Sequence, residues 1–412
     1  MQKNKSLLLF TNNYPANYGD SSFIQPEVET LSEIYDMVYI IRFAKSSSFA
    51  DISMPDNFYL FEQGLAGKVD IIVKGILNST SLIKTYKLFT QEFPHITKCT
   101  HLKNLIFATL CSRHFSSKVN ILIKNSEENF DAYLFWGMGS GYSLPFISHS
   151  HLNKVWMRLH GGDLYLERQN GYIPYRKAMF SFSNVIVPIS HQGEKYLIDT
   201  YPIANIQHKI FTNYLGSIDY GIMPKKQNRL IYSIVSCSSI IPLKRVELIF
   251  QSIYLASQSI EIVWHHFGDG CNMPILKSLI QSYSCTKNLQ IHLHGQVSHE
   301  TIIEFYQNNH IDLFINLSET EGIPVSIMEA ISFDIPVIAT DVGGVSEIVG
   351  KSLGTGGLIP IDLNEEKIAE VIHTILNERN LSPRKFWKKF FDKDNNMKLL
   401  VEKLGLHKTT NS

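Results

Sequence analysis

Two carboxylates eight positions apart, Glu321 and Glu329, lie in the segment Ser318-Glu319-Thr320-Glu321-Gly322-Ile323-Pro324-Val325-Ser326-Ile327-Met328-Glu329-Ala330. The segment follows an apolar run at 311–317 that reads as a buried strand, and it opens a pattern that predicts a helix over 324–333. Pro324 suits the first helical position, where its missing N–H costs nothing. Glu321 then falls in the loop and Glu329 about one and a half turns inside the helix. Helical side chains lean toward the N-terminus, so both carboxylates can face one side. Unused N–H groups at such a helix start suit a diphosphate, and carboxylates accept strong hydrogen bonds from sugar hydroxyls. Spacing alone does not separate this chemistry from ordinary capping, because a Glu at a helix start is commonly a partner of the helix dipole.

Alternating strands and helices must position this loop. In the C-terminal half, strands are predicted at 229–237, 260–266, 289–294, 311–317 and 335–340. Helices are predicted at 244–257, 273–282, 300–308 with Ser298 as N-cap, 324–333 and 364–378. The N-terminal half starts alike, with strands at 6–11 and 36–43 around a helix at 25–34, then strands at 131–136, 154–159 and 184–189. Residues 50–130 give no clear pattern. Gly216, Gly221, Pro224 and Lys225-Lys226-Gln227-Asn228 break the alternation. The expected fold class is α/β, with two Rossmann-like domains at 1–220 and 221–385 and a helical tail, 386–412, crossing back to the first. Two doubly wound domains put ligands at the carboxyl ends of their strands, here facing an interdomain cleft.

Composition narrows the chemistry. The chain of 412 residues suffices for two domains, and Lys+Arg balances Asp+Glu at 38 each, which argues against a nucleic-acid partner. The five cysteines, Cys99, Cys111, Cys237, Cys271 and Cys285, contain no C-x-x-C pair, so neither a disulfide framework nor a zinc site is expected. The N-terminal apolar run, about five residues, is too short for a signal-peptide core. No run reaches the roughly 20 apolar residues of a spanning helix. A cytoplasmic protein is expected.

Glu321-x7-Glu329-Ala330, with Asp334-Ile335-Pro336-Val337-Ile338-Ala339-Thr340-Asp341-Val342-Gly343-Gly344-Val345-Ser346-Glu347, closely resembles the retaining GT-B glycosyltransferases of family 4. Their signature is E-G-x-x-x-x-x-x-E-A followed by G-x-P-V-I-A-x-x-x-G-G-x-x-E. Asp334 departs from it where the family has Gly, at a site expected to be a left-handed helix cap that Asp tolerates. The resemblance implies the GT-B fold, a nucleotide-diphosphate sugar bound in the C-terminal domain, transfer of a hexose with retention, and neither cofactor nor metal. It assigns Glu321 to donor sugar hydroxyls, Glu329 to the ribose, and Gly322, Ile323, Pro324 and Val325 to the donor-binding loop and helix start. Val235-Ser236-Cys237-Ser238-Ser239-Ile240-Ile241-Pro242-Leu243-Lys244-Arg245 resembles the family's diphosphate-holding segment. Lys244 matches its Lys; its upstream Arg is missing, with Ser238 or Ser239 near that place and Arg245 as a substitute. A cation at a helix start is disfavoured by the dipole unless an anion joins it.

In the N-terminal half, Arg158-Leu159-His160-Gly161-Gly162-Asp163 resembles the H-G-x-D segment whose His lies beside the donor sugar, which makes His160 a catalytic candidate. Asp163 either joins it or only fixes the loop, and Arg158 either faces the cleft or pairs internally. Gly19, in Tyr14-Pro15-Ala16-Asn17-Tyr18-Gly19-Asp20, stands in for a family loop that approaches the donor phosphates. Residues 64–124 carry Lys68, Lys74, Lys84, Lys87, Lys98, Lys103, Arg113, Lys118 and Lys124 against Asp70 and Glu92, with apolar residues interleaved. Such a surface suits peripheral docking on an anionic membrane, and a lipid-linked saccharide acceptor would explain it, as in assembly of an O-antigen, capsule or exopolysaccharide. Three alternatives stay open: a nucleotide-sugar epimerase on the same fold, a non-catalytic nucleotide-sugar-binding subunit, and a dinucleotide oxidoreductase. The last is weak, because Gly137-Met138-Gly139-Ser140-Gly141 lacks the G-x-G-x-x-G spacing.

Overall fold

A computed structural model describes residues 5–17, 19–45, 50–78, 81–126, 128–201, 206–226, 230–284 and 287–406. Tyr18, Gln227, Asn228, Cys285 and the first residue of the strand predicted at 229–237 lie outside these. The chain divides into two compact units, Met1–Asn213 with Met397–Ser412, and Tyr214–Asn396.

The first unit runs β1 (Lys5–Thr11), α1 (Ser21–Ile34), β2 (Met37–Arg42), β3 (Phe58–Glu62), α2 (Lys68–Leu77), α3 (Leu82–Gln91), α4 (Cys99–Lys124), β4 (Asn129–Leu134), β5 (Leu152–Leu159), α5 (Gly161–Leu164), α6 (Arg176–Phe182), β6 (Val185–Pro188) and α7 (His191–Thr200). Its six strands are parallel in the order β3-β2-β1-β4-β5-β6. Leu7, Leu8 and Leu9 are all fully buried, as expected of a parallel strand covered on both faces. The stretch that gave no pattern holds α4, 26 residues long. Its buried face combines Leu105, Ala108, Cys111 and Phe115 with Thr109, Ser112 and Ser116. The hydroxyls hide by bonding to the preceding turn: Thr109 Oγ1 donates to the Leu105 carbonyl and Ser112 Oγ to that of Ala108. Polar residues on the buried side blur the apolar period from which a helix is read.

The second unit runs β7 (Ile231–Cys237), α8 (Val246–Ala256), β8 (Glu261–Phe267), α9 (Met273–Ser282), β9 (Leu289–Leu293), α10 (His299–Asn308), β10 (Leu313–Asn316), α11 (Val325–Ser332), β11 (Val337–Thr340), β12 (Gly356–Ile359), α12 (Glu365–Leu376) and α13 (Pro383–Phe390). A last helix, α14 (Lys393–Leu404), contributes its residues from Met397 onward to the first unit. The sheet is again parallel, in the order β12-β11-β10-β7-β8-β9. Each unit therefore has two three-strand halves wound outward from its first strand, the doubly wound arrangement whose ligands sit where the order reverses. The reversal falls between β1 and β4 in one unit and between β7 and β10 in the other.

Several boundaries differ from expectation. The helix expected at 244–257 starts at Val246, after a 3₁₀ turn over Pro242–Lys244 and Arg245 at φ 51°. Pro324 is the N-cap of α11 rather than its first residue. Asp334 has φ 69°, in the left-handed region its place in the motif indicated. The sequence does not indicate β12, because Gly356 and Gly357 look like a turn. Yet a Cβ on Gly356 would sit 1.8 Å from the Val337 carbonyl oxygen, so glycine is what lets β12 lie against β11.

Candidate active site

The second unit's reversal point lies between the loop after β7 and the loop after β10. Lys244 Nζ donates to Glu321 Oε1 across it at 2.5 Å, and the Glu319 N–H donates to the Leu243 carbonyl at 2.9 Å. Both members of the ion pair are mostly buried, at 21% and 12% side-chain exposure. Neighbouring glycines brace the two loops. A Cβ on Gly268 would lie 2.0 Å from the Ser238 carbonyl oxygen and one on Gly270 2.3 Å from that of Ile240. On the other side, a Cβ on Gly343, itself at φ 55°, would fall 1.8 Å from the Glu321 carbonyl oxygen, and the Gly344 N–H donates to Gly322 at 3.0 Å.

Glu321, Gly322, Ile323 and Pro324 lead directly into α11, whose first-turn N–H groups the helix cannot use itself. Glu329, the fifth residue of α11, is buried, and its Oε1 is 2.6 Å from Nε2 of His299 at the start of α10. That hydrogen bond raises the His299 pKa, against an opposing effect of burial. The sequence placed Lys244, Glu321, Gly322, Val325 and Glu329 around this point, and the structure brings them to the same two loops and helix. It does not bring Arg245 to the pair: its guanidinium donates to the Ile361 carbonyl at 2.7 Å. Ser239 is exposed in the loop after β7. His299 was missed; its signal is a polar residue directly after the predicted N-cap Ser298. The only Asp-x-Asp of the chain, Asp392-Lys393-Asp394, is structural, since Asp392 accepts from the N–H groups of Asp394 and Asn395 at the start of α14. Among the described residues no group of three or more His, Cys, Asp or Glu side chains could hold a metal ion.

At the first unit's reversal point lies a cavity of about 540 Å³. Asn12 and Asn13 after β1, Trp136 after β4, and Asn104 and Phe107 of α4 are among the residues lining it. Asp20 holds the β1 loop by accepting from the N–H groups of Asn12, Asn13 and Tyr14 and from Trp136 Nε1. Gly19 turns this loop at φ 70°, and a Cβ there would meet Asn13 Oδ1 at 2.5 Å. Amides and aromatic faces together suit a neutral polyol, with rings for C–H surfaces and amides for hydroxyls. This pocket went unread because its aromatic wall on α4 belongs to the stretch without a pattern.

His160 lies behind the pocket. Its ring is 3% exposed and packs 4.0 Å from the Trp136 ring and 5.0 Å from that of Phe135. Burial, and then the charge of Arg158, hold its pKa well below the usual histidine value, so the ring is neutral. Its Nε2 has no hydrogen-bond partner among the described residues. Of the two options left for Arg158, the structure selects internal pairing: its guanidinium is 2.7 Å from Glu27 and also donates to Tyr133 and Asn213. Asp163 fixes the loop, accepting from the N–H groups of Gly137 and His160, each at 2.6 Å.

Residues 225–390 match the family model described as glycosyl transferases group 1. The chain is 31% identical over 174 residues to an O-antigen biosynthesis glycosyltransferase of Escherichia coli (WbnH), a stretch covering 42% of this chain and 46% of that protein. It spans less than half the length of the curated relatives it matches first. Among solved structures, sucrose-phosphate synthase from Thermosynechococcus elongatus superposes with a TM-score of 0.67 at 15% identity over 97% of this chain and 98% of that one. The lipopolysaccharide outer core galactosyltransferase WaaB superposes with a TM-score of 0.61 at 12% identity over 96% of this chain and 99% of that one. Residues 225–390 are thus similar to the glycosyl transferases group 1 family, and the chain shares the two-domain GT-B fold of those structures.

Proposed function

We propose that the protein transfers a hexose, with retention at the anomeric carbon, from a nucleotide-diphosphate sugar to a saccharide acceptor. The observation that carries this most is the Lys244–Glu321 pair spanning the second unit's reversal point beside the start of α11. An ammonium has three N–H donors; one serves Glu321, which leaves two for diphosphate oxygens. The first-turn N–H groups of α11 supply further donors, so the charge that grows on the leaving diphosphate meets a preorganised positive site and needs no bound metal. Glu321 then accepts from donor sugar hydroxyls, and Glu329, steadied by His299, from the ribose. The pocket of the first unit receives the saccharide. The neutral His160, buried behind that pocket against Trp136, backs the aromatic wall that the sugar meets.

A pathway is part of the proposal. The similarity to an Escherichia coli protein named for O-antigen biosynthesis supports a place in building a cell-surface polysaccharide, and we propose that the growing saccharide is carried on a lipid. Incubation with nucleotide-diphosphate hexoses and oligosaccharide acceptors in the presence of a chelator, followed by NMR of the new linkage, is the test. Transfer with the donor's anomeric configuration is expected. An epimerised donor without transfer, binding without turnover, or loss of activity on chelation would each contradict the proposal.

A further inference from the structure

Helix α2 has two apolar sides, and only one of them is used. It packs on α4 through Ile71 and Gly75; a Cβ on Gly75 would lie 2.7 Å from Leu110 Cβ. At 100° per residue, the opposite side carries Val69, Ile72, Val73, Ile76 and Leu77, which are 47–77% exposed. A surface helix of a globular protein normally turns charged and polar residues that way. Helix α3, also packed on α4, buries no residue completely and exposes Leu82, Ile83 and Tyr86 at 68–84%. Large apolar side chains gathered on exposed helix faces in this way mark an interaction site.

Charge selects the occupant. Between residues 64 and 125 the only acids are Asp70 and Glu92. Asp70 lies 2.9 Å from Lys74 Nζ, and Glu92 is buried, accepting from the Tyr172 hydroxyl at 2.7 Å. Of the nine cations counted in the sequence, Lys74, Lys84 and Arg113 are occupied, the last two by backbone carbonyls. Six lysines, Lys68, Lys87, Lys98, Lys103, Lys118 and Lys124, stay exposed. A recess of about 510 Å³ beside α3 adds Lys84, Lys87, His95 and Lys177 to its walls. Exposed aliphatic side chains on α2 and α3, with exposed lysines on those helices and on α4 and both acids of residues 64–125 already partnered, match the boundary between acyl chains and anionic headgroups. No helix among the described residues is long and apolar enough to cross a membrane.

We propose that α2 and α3 dock the protein on an anionic membrane surface, with the apolar side of α2 entering the acyl boundary and the lysines meeting lipid phosphates. None of the α2 or α3 side chains lines the pocket at Trp136, so docking does not depend on which sugar or acceptor is used. Sedimentation of the full chain with phosphatidylcholine vesicles, and with vesicles that also contain phosphatidylglycerol, tests it at low and high salt. Binding is expected to the anionic vesicles alone and to weaken with salt. The pair Ile72→Gln with Ile76→Gln, and separately the pair Lys87→Glu with Lys103→Glu, should each weaken it roughly tenfold or more. All four side chains are exposed, so the variants should keep the wild-type Tm. Absence of binding, equal binding to both vesicles, or wild-type binding by either variant pair would overturn the proposal. Self-association in solution that the Ile→Gln pair abolishes, without vesicle binding, would overturn it in favour of a second copy. Transfer to a soluble saccharide is assayed separately, so its loss and the loss of docking are distinguishable.

Discussion

At the scale of single residues, the proposed donor site rests on one ammonium and two carboxylates. Lys244→Ala would leave Glu321 mostly buried without its partner and remove a cation from the leaving group. The expected outcome in steady-state kinetics is a fall in kcat/KM of about two orders of magnitude, carried by kcat as well as KM, because the charge matters most as it develops. Wild-type kcat/KM would make Lys244 an ordinary surface partner of Glu321. Glu329→Gln should weaken donor binding by about 1.5–3 kcal/mol, read by calorimetry, since a neutral amide accepts less strongly from ribose hydroxyls. The sequence named Glu321 and Glu329 because the long motif fixes their spacing, and Lys244 because it matches the Lys of a second segment. It missed His299, at the start of α10, which meets Glu329 of α11 only in the folded chain. It assigned Arg158 and Arg245 too widely, because a cation near a motif reads the same whether it meets a ligand, a buried Glu27 or the Ile361 carbonyl.

At the scale of elements, loops matter more than helices. Gly343 is left-handed, and a Cβ there would collide with the Glu321 carbonyl. Gly343→Ala should therefore cost about 1–3 kcal/mol of stability and also displace the Glu321 loop, lowering donor affinity in a protein that still folds. Denaturant melts and calorimetry on one preparation would check both; unchanged donor affinity would show that the loop holds its place without the glycine. Among the described residues, Glu27 on α1 is the carboxylate that pairs with buried Arg158. Glu27→Ala should cost about 3–5 kcal/mol, because an uncompensated charge remains inside; a Tm near wild type would refute this. The strands and most helices of the second unit were legible because apolar runs and helical periods alternate cleanly. The stretch that became α2, α3 and α4 was not, for two physical reasons: α4 buries hydroxyls that bond locally, and α2 leaves an apolar side exposed.

At the scale of the whole molecule, the two units repeat one strand order, and each puts its candidate residues where that order reverses. Stability at acid pH should report on the half-buried His265 and the buried His266 of the second unit. Burial pushes His265 and His266 down to about 4, and His292 and His294 add to the effect at His265. The unfolded chain binds those protons near pH 6.5 and the folded one does not, so their contribution to stability is lost as pH falls from about 6.5 to about 4. Asp163, pushed up to about 6 chiefly by burial, acts in the opposite sense. The difference between wild type and His265→Phe therefore isolates the histidine: the variant should gain on wild type as pH falls through that window, and a difference independent of pH would refute the assignment. The central claim is that the loops after β7 and β10, with the start of α11, bind a nucleotide-diphosphate sugar. Calorimetric titration of a panel of nucleotide-diphosphate hexoses into wild type, Lys244→Ala and Glu329→Gln tests it most directly. The expected result is saturable binding of at least one of them to wild type, weakened in both variants while their folding is unchanged; no binding to wild type, or equal binding to all three proteins, would contradict it.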